Sequence, residues 1–457
     1  YNMNLAYHSA FYGWTYFSIN YLLLSPIFII VSVLKIVPNY TYLFVSIRLV
    51  FFMIGLASVL AFYEVAKRIL KQNFIAFIAS ILYIATPTTF RFFYFIHPET
   101  TGLLFLFISI LCLIRYYEGL AEDYRWYTFG FFSLVLSVLS KQHFVLLAPS
   151  VIFLYYYFYC HYHKKPLFRF LITKQFAKLS LLSIVFSIVI FFVINPYAFI
   201  QPHRFIGNQT YLFSGHTQGA ANMIQGLGAW FNIIKGNPII LFSVLSSPFT
   251  ILGVYIFRKE QLIGKLLYTV NILSALFFIG IISITSRLII ADHYFVPIFP
   301  FFILNFLSIP LYIIRKWNVS LVKLLTIFLL IYSLFSIIVA DFSVSLPKGY
   351  NRLMYQDGTT YKVYNYIEEN IPDNSKITHD HFVGIPSNKG IIACHFWHVC
   401  GGDYIEEFQP DYVIFNENYS FNGVHAPTER LNQYINDHHF ILITTIDSIS
   451  VWKKPDK

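Results

Sequence analysis

The sequence predicts a polytopic α-helical membrane protein with a small α/β domain at its C-terminal end. Three observations carry that prediction. Long apolar runs follow one another from about Thr41 to Ala340. Several are long enough for a bilayer core, which is about 30 Å thick and needs about 20 apolar residues per helix. Lys and Arg gather in every second connecting loop. Beyond Ala340 the apolar runs give way to short strand-like segments separated by turn residues.

Composition agrees. The chain is 57% hydrophobic and 12% charged, whereas a soluble domain carries about 25% charged residues. A single soluble globule is therefore excluded. Aromatic residues make up 20%, with 50 Phe and 35 Tyr. Phe suits lipid-facing helices, and Tyr suits the interface, where one ring edge is wet. The net charge of +10 would fit a nucleic-acid partner. Its concentration in alternate loops points instead to the cytoplasmic face of a membrane protein, and no nucleic-acid partner is expected.

Taken in order, the first apolar run is Phe17–Val37, with Pro26 at its centre. A span here would break the charge alternation, because Lys35–Tyr40 is too short to form a charged inner loop. We read residues 1–40 as an outer loop whose helix lies in or dips into the interface. The alternative is a true span with one helix miscounted elsewhere. The clearest spans are Leu43–Tyr63, Phe74–Phe95, Leu179–Asn195 and Leu266–Ser286. One set of loops carries Lys67, Arg68 and Lys71; Arg115 and Arg125; Lys164, Lys165, Arg169, Lys174 and Lys178; Arg258, Lys259 and Lys265; and Arg315, Lys316 and Lys323. The intervening loops carry only Lys141, Arg204, Lys235 and Arg287. The positive-inside rule puts the first set in the cytoplasm. The pattern implies about ten spans of roughly 20 residues in 41–340, with a long outer loop at 201–238.

The segment 341–457 is then extracytoplasmic. Helices are expected at Tyr361–Asn370, stopped by Ile371-Pro372-Asp373, and at Thr428–His438. Strands are expected at Lys376–Thr378, Gly390–Ala393, Tyr412–Phe415, Phe440–Ile446 and Ser448–Trp452. Cys112 and Cys160 lie in apolar runs and read as buried thiols. Cys394-His395-Phe396-Trp397-His398-Val399-Cys400 lacks paired zinc spacing. A disulfide, free thiols and a metal all stay open there. Asn208 and Asn418 open Asn-x-Ser/Thr sequons, which chance also produces.

Ionisable residues at membrane depth are costly, so each is a functional candidate. Four clusters fall at outer-face helix ends. In His97-Pro98-Glu99 the pair could act as base, metal ligand or hydrogen-bond couple. The structural alternative is a helix opened by Pro98 with Glu99 in its first turn. In Ser140-Lys141-Gln142-His143, Lys141 could bind a lipid phosphate as a compact cation, or snorkel at a helix end. Pro202-His203-Arg204 could clamp a phosphate, or place an interfacial Arg. Arg287 with Asp292-His293-Tyr294 could serve the site, or be a simple ion pair.

Together these segments resemble the GT-C glycosyltransferases, which use lipid-linked sugars and include the protein O-mannosyltransferases and the lipid A aminoarabinose transferases. Tyr7–Val37 resembles their first outer loop. Ile47-Arg48-Leu49 resembles the start of their second span. His97-Pro98-Glu99 stands where their second outer loop carries an acid. Leu139-Ser140-Lys141 resembles their Leu-Thr-Lys element. Asp292-His293-Tyr294 through Pro300 resembles their Arg-Tyr-x-x-Pro-x-x-Pro element, with His293 where Arg is usual.

The resemblance implies a GT-C-like fold, seen without its first span. It implies transfer of a hexose or pentose from a polyprenyl-phosphate carrier to a lipid, glycan or protein acceptor at the outer face. His97, Glu99 and His8 would line the catalytic cavity, and Lys141, Arg204, Arg287 and His293 would bind the lipid phosphate. The family's catalytic Asp precedes a segment like Tyr7-His8, so it is expected upstream of Tyr1. No metal ligands are assigned, and a divalent cofactor stays open. A plasma (inner) membrane is the expected location, in contact with membrane lipids. Two rival readings are a non-catalytic scaffold subunit on the same fold and a transporter or flippase. The second would place charges near mid-membrane, whereas those here sit at helix ends.

Overall fold

The computed structural model describes residues 40–94, 97–118, 124–141, 174–194, 296–307, 359–379, 389–393, 409–416 and 426–455, with isolated positions between them. The chain divides into two compact units. One comprises Tyr1–Pro38 and Ser46–Gly349, the other Asn39–Val45 and Tyr350–Lys457.

Helix α1 spans Tyr40–Leu70 without an interrupting Pro or Asp, and from Ser46 onward it belongs to the first unit. Lys67 and Arg68 sit in its last turn, where cations meet the negative end of the helix dipole. Lys71 stops it by turning left-handed, φ 55, while its N–H still reaches the Lys67 carbonyl at 2.9 Å. The next apolar run, which reads as one span over Phe74–Phe95, is two helices: α2 over Asn73–Ala85 and α3 over Pro87–Tyr94. The break is at Thr86, held extended before Pro87. A residue before Pro is pushed out of the helical region, and Pro is well placed to open a new helix.

Helices α4 (Glu99–Glu118) and α5 (Tyr124–Ser140) form an antiparallel hairpin. Ser137 donates to the Gly102 carbonyl at 2.7 Å near one end. Tyr116 meets Tyr127 edge-on at 5.7 Å near the other. Helix α1 runs parallel to α4: Phe62 packs on Phe107 at 5.2 Å, and Arg68 pairs with Glu118. Lys67, Arg68, Arg115 and Arg125 therefore lie at one end of this unit, and His97–Glu99 and Lys141 at the other. That is the alternation the loop charges predict.

Phe62, Tyr83 and Phe107 form the aromatic centre of the core, with ring centroids 5.1–5.8 Å apart. Gly130 leaves room for the Tyr155 hydroxyl, which donates to the Ser109 carbonyl at 2.6 Å. Cys112 and Cys160 are buried free thiols, as expected. Helix α6 (Lys174–Ile194) exposes Leu181, Ile184, Ile188, Val189 and Val193, an apolar surface suited to lipid. Among the described residues, Ser46–Leu70 and Glu99–Glu118 are long and apolar enough to cross a membrane. Leu23, Ser25, Pro26 and Ile29, from the run read as interfacial, are helical. The expected span Leu266–Ser286 lies outside the described residues, as do Cys394, Cys400, Asn208 and Asn418.

In the second unit a five-stranded mixed sheet has the order β2-β1-β3-β5-β4. Its strands are β1 (Lys376–His379), β2 (Gly390–Ala393), β3 (Tyr412–Asn416), β4 (Ile441–Ile446) and β5 (Ile449–Lys453). β1 pairs in parallel with β2 and β3, and β5 pairs antiparallel with β3 and β4. Helix α7 (Thr359–Asn370) covers one face through Val363 and Ile367, which meet Ile377, Ile414 and Val451. Helix α8 (Ala426–Asp437) covers the other through Tyr434 and Ile435, which meet Val413 and Phe415. Both helices and all five strands fall within about two residues of their expected places, the ordinary scatter of boundary assignment.

Lys389 is buried in this unit. Its ammonium donates to the Ile371 carbonyl at 2.5 Å and pairs with Asp373 at 2.7 Å, closing the C-terminal end of α7. Lys389→Met keeps the aliphatic stem and leaves the Ile371 carbonyl without this donor, a loss of about 1–3 kcal/mol. Hydrogen exchange of the β1 and β2 amides in the full chain should accelerate accordingly. Unchanged exchange would show that the ammonium contributes nothing there.

Candidate functional site

Two helix ends meet in the first unit, and their dipoles explain what stands there. The α4 N-terminus is opened by the Pro98 carbonyl, which accepts the Gly102 N–H at 2.9 Å. Glu99 occupies the first turn, where the positive end of the helix dipole favours a carboxylate. The α5 C-terminus, at Ser140, is followed by Lys141, a cation beside a negative dipole end. The hairpin brings the two together although 42 residues separate them.

Glu99 is fully buried, and both its carboxylate oxygens are engaged. Oε1 accepts from the Lys141 ammonium and Oε2 meets His97 Nδ1. The His97 and Lys141 side chains are only 14% and 12% exposed, so all three groups have left bulk water. Lys141 is thus paired in the interior rather than snorkelling outward. The helix-start reading of Pro98-Glu99 holds at the same time, since the first-turn acid is also the hub of the cluster.

Supports surround the cluster. Phe92, from the end of α3, stacks on the His97 ring at 4.7 Å and 19°. Thr100 donates to the His97 carbonyl at 3.3 Å. Behind Lys141, the Phe144 N–H reaches the Lys141 carbonyl at 3.1 Å, and the Phe144 ring fills the space that a side chain at Gly102 would need. Phe92→Ala removes the wall behind His97. We expect about a 3–5 kcal/mol loss of stability, typical of a deleted buried aromatic, read as a lower midpoint of thermal unfolding in detergent.

Arg48 is a further buried cation of this unit. It is 7% exposed on α1. Phe62 faces Phe107 in the parallel pair, so Gly55 stands level with the start of α4 and Arg48 lies about two turns further along α1. On the same stretch of α1, Leu49, Val50, Met53 and Ile54 line an open apolar groove of about 440 Å³ with Leu23 and Leu104. Sequence reasoning did not assign Arg48, Phe92 or the groove to the site. Only the Arg-Leu pair at 48–49 gave a signal.

Of the candidate residues, the structure brings Glu99, His97 and Lys141 together. His8, Arg204, Arg287 and His293 lie outside the described residues. No group of three or more His, Cys, Asp or Glu occurs among the described residues. A divalent ion on Glu99 would have to displace an ammonium, so this donor set does not fit one. The arrangement instead holds an ammonium and an imidazole in a fixed, water-poor place, suited to stabilising negative charge.

Residues 26–194 match the dolichyl-phosphate-mannose-protein mannosyltransferase family. The match includes α1 to α6 and the whole His97–Glu99–Lys141 cluster. No curated protein matches the chain.

Proposed function

We propose that the protein is a membrane glycosyltransferase that moves a sugar, with mannose the first candidate, from a polyprenyl-phosphate carrier to an acceptor hydroxyl. The reaction takes place at the outer membrane face, where α4 begins. The observation that carries this reading is the buried Glu99 carboxylate holding Lys141 and His97 inside the matched segment. Breaking the sugar–phosphate bond leaves negative charge on the lipid phosphate. A preorganised ammonium in a low-dielectric site stabilises such charge far better than one in water. Lys141 takes that part, and Arg204, Arg287 and His293 assist it from the outer loops. Glu99 positions Lys141 and His97. With no exposure and both oxygens engaged, it is not the base that takes the acceptor proton. That task falls to another group, with His8 as an auxiliary in the cavity. The apolar groove between α1 and Leu104 suits the isoprenoid chain of the carrier.

The ten-span topology, the plasma (inner) membrane location and the extracytoplasmic placement of 341–457 belong to the same proposal. They rest on the loop charges. The test uses the full-length protein in liposomes, with radiolabelled polyprenyl-phosphate mannose. We expect transfer or slow hydrolysis of the sugar, reduced about 10²-fold or more by Lys141→Met. Donor binding and turnover that are both absent, or indifferent to Lys141→Met, would leave the scaffold reading in its place.

A further inference from the structure

The sheet of the second unit ends on an edge strand that is apolar where an edge should be guarded. Among the described residues β4 pairs with β5 alone. Its first three residues, Ile441, Leu442 and Ile443, are 57%, 45% and 45% exposed. Consecutive residues of a strand point to opposite faces, so this corner presents apolar side chains on both sides at once.

Two features say what covers it. First, the register slips between Leu442 and Thr444, so a bulge interrupts the ladder. Bulges blunt an edge against the addition of another strand. Three apolar residues in a row also fit insertion into a nonpolar phase better than strand pairing, which exposes alternate residues. Second, the corner is rimmed by cations. Lys453 is the cross-strand partner of Ile441, and Lys454 follows it. An apolar tip with a basic collar is complementary to a bilayer bearing anionic headgroups. Two helices of the same chain are long and apolar enough to cross a bilayer.

We propose that Ile441, Leu442 and Ile443 dip into the interface of an anionic lipid bilayer, with Lys453 and Lys454 on its headgroups. The second unit is then held to the membrane surface by its own β4 corner as well as by the chain. This does not depend on the transferase reading.

The test replaces Leu442 with the photo-crosslinker p-benzoylphenylalanine in the full chain, in liposomes of phosphatidylcholine with phosphatidylglycerol. A second chain carries the same group at Glu369, an exposed position on α7, as control. Mass spectrometry should find lipid adducts at 442 and few at 369. The 442 yield should fall about fivefold for each of Lys453→Glu and Lys454→Glu, and on omitting phosphatidylglycerol. If the 442 chain does not fold, position 441 carries the same prediction. Adducts to a second copy or to the chain itself, or water-quenched probe alone, would overturn the proposal.

Discussion

Glu99→Gln should be among the most damaging conservative changes in this protein. The amide keeps the shape of the side chain and removes its charge. Lys141 then keeps a buried ammonium without its counter-charge, and His97 loses its carboxylate partner. Breaking one side of a buried pair costs about 3–5 kcal/mol, enough to displace Lys141 toward water. We expect donor turnover to fall about 10²-fold or more, the scale set by one lost charge-stabilising group. The decisive measurement is a double-mutant cycle. Glu99→Gln with Lys141→Met should unfold at a higher temperature than Glu99→Gln alone, because the stranded cation is gone. Activity should not return with it. Simple additivity of the two thermal shifts would show that the pair is not coupled.

Gly130→Ala should be the most damaging single-methyl addition in the core. A Cβ there would lie 1.7 Å from the Tyr155 hydroxyl and 3.0 Å from the Cys112 Cβ. The backbone of α5 or the Tyr155 ring has to move, and overpacking of this kind costs about 1–3 kcal/mol. Displacing Tyr155 also breaks its hydrogen bond to the Ser109 carbonyl, adding about 1 kcal/mol. Tyr155→Phe removes the nearest atom. Gly130→Ala with Tyr155→Phe should therefore recover part of the loss in a thermal unfolding assay. A Gly130→Ala protein as stable as its parent would mean that the α4–α5 hairpin yields without cost.

Much of this was legible in the sequence because the signals are local. The apolar runs of α1, α4 and α6, the turn residues around β1 to β5 and the charge of each loop are all read within one stretch of sequence. The break at Thr86-Pro87 was legible as well, since Pro disfavours helix in the residue before it, yet the apolar run masked it. What could not be read is how elements find each other. Four outer-face clusters looked alike, and only the α4–α5 hairpin shows that Glu99 meets Lys141. The sheet order was equally hidden: β5 inserts between β3 and β4, a matter of topology rather than of any strand's composition. Phe92 gave no signal at all, being one aromatic among many until its stack on His97 is seen.

The distance along the chain from Glu99 to Lys141 also has a consequence for biosynthesis. Translation adds about 5–20 residues per second, so the acid emerges roughly two to eight seconds before the 42nd residue after it supplies the ammonium. During that interval the N-terminal end of α4 carries a carboxylate with His97 beside it but without its ammonium partner. It cannot settle at its final depth until α5 has followed. We expect the hairpin to insert as one unit, so that a ribosome stalled between the two helices leaves α4 accessible to reagents that never reach it in the finished protein.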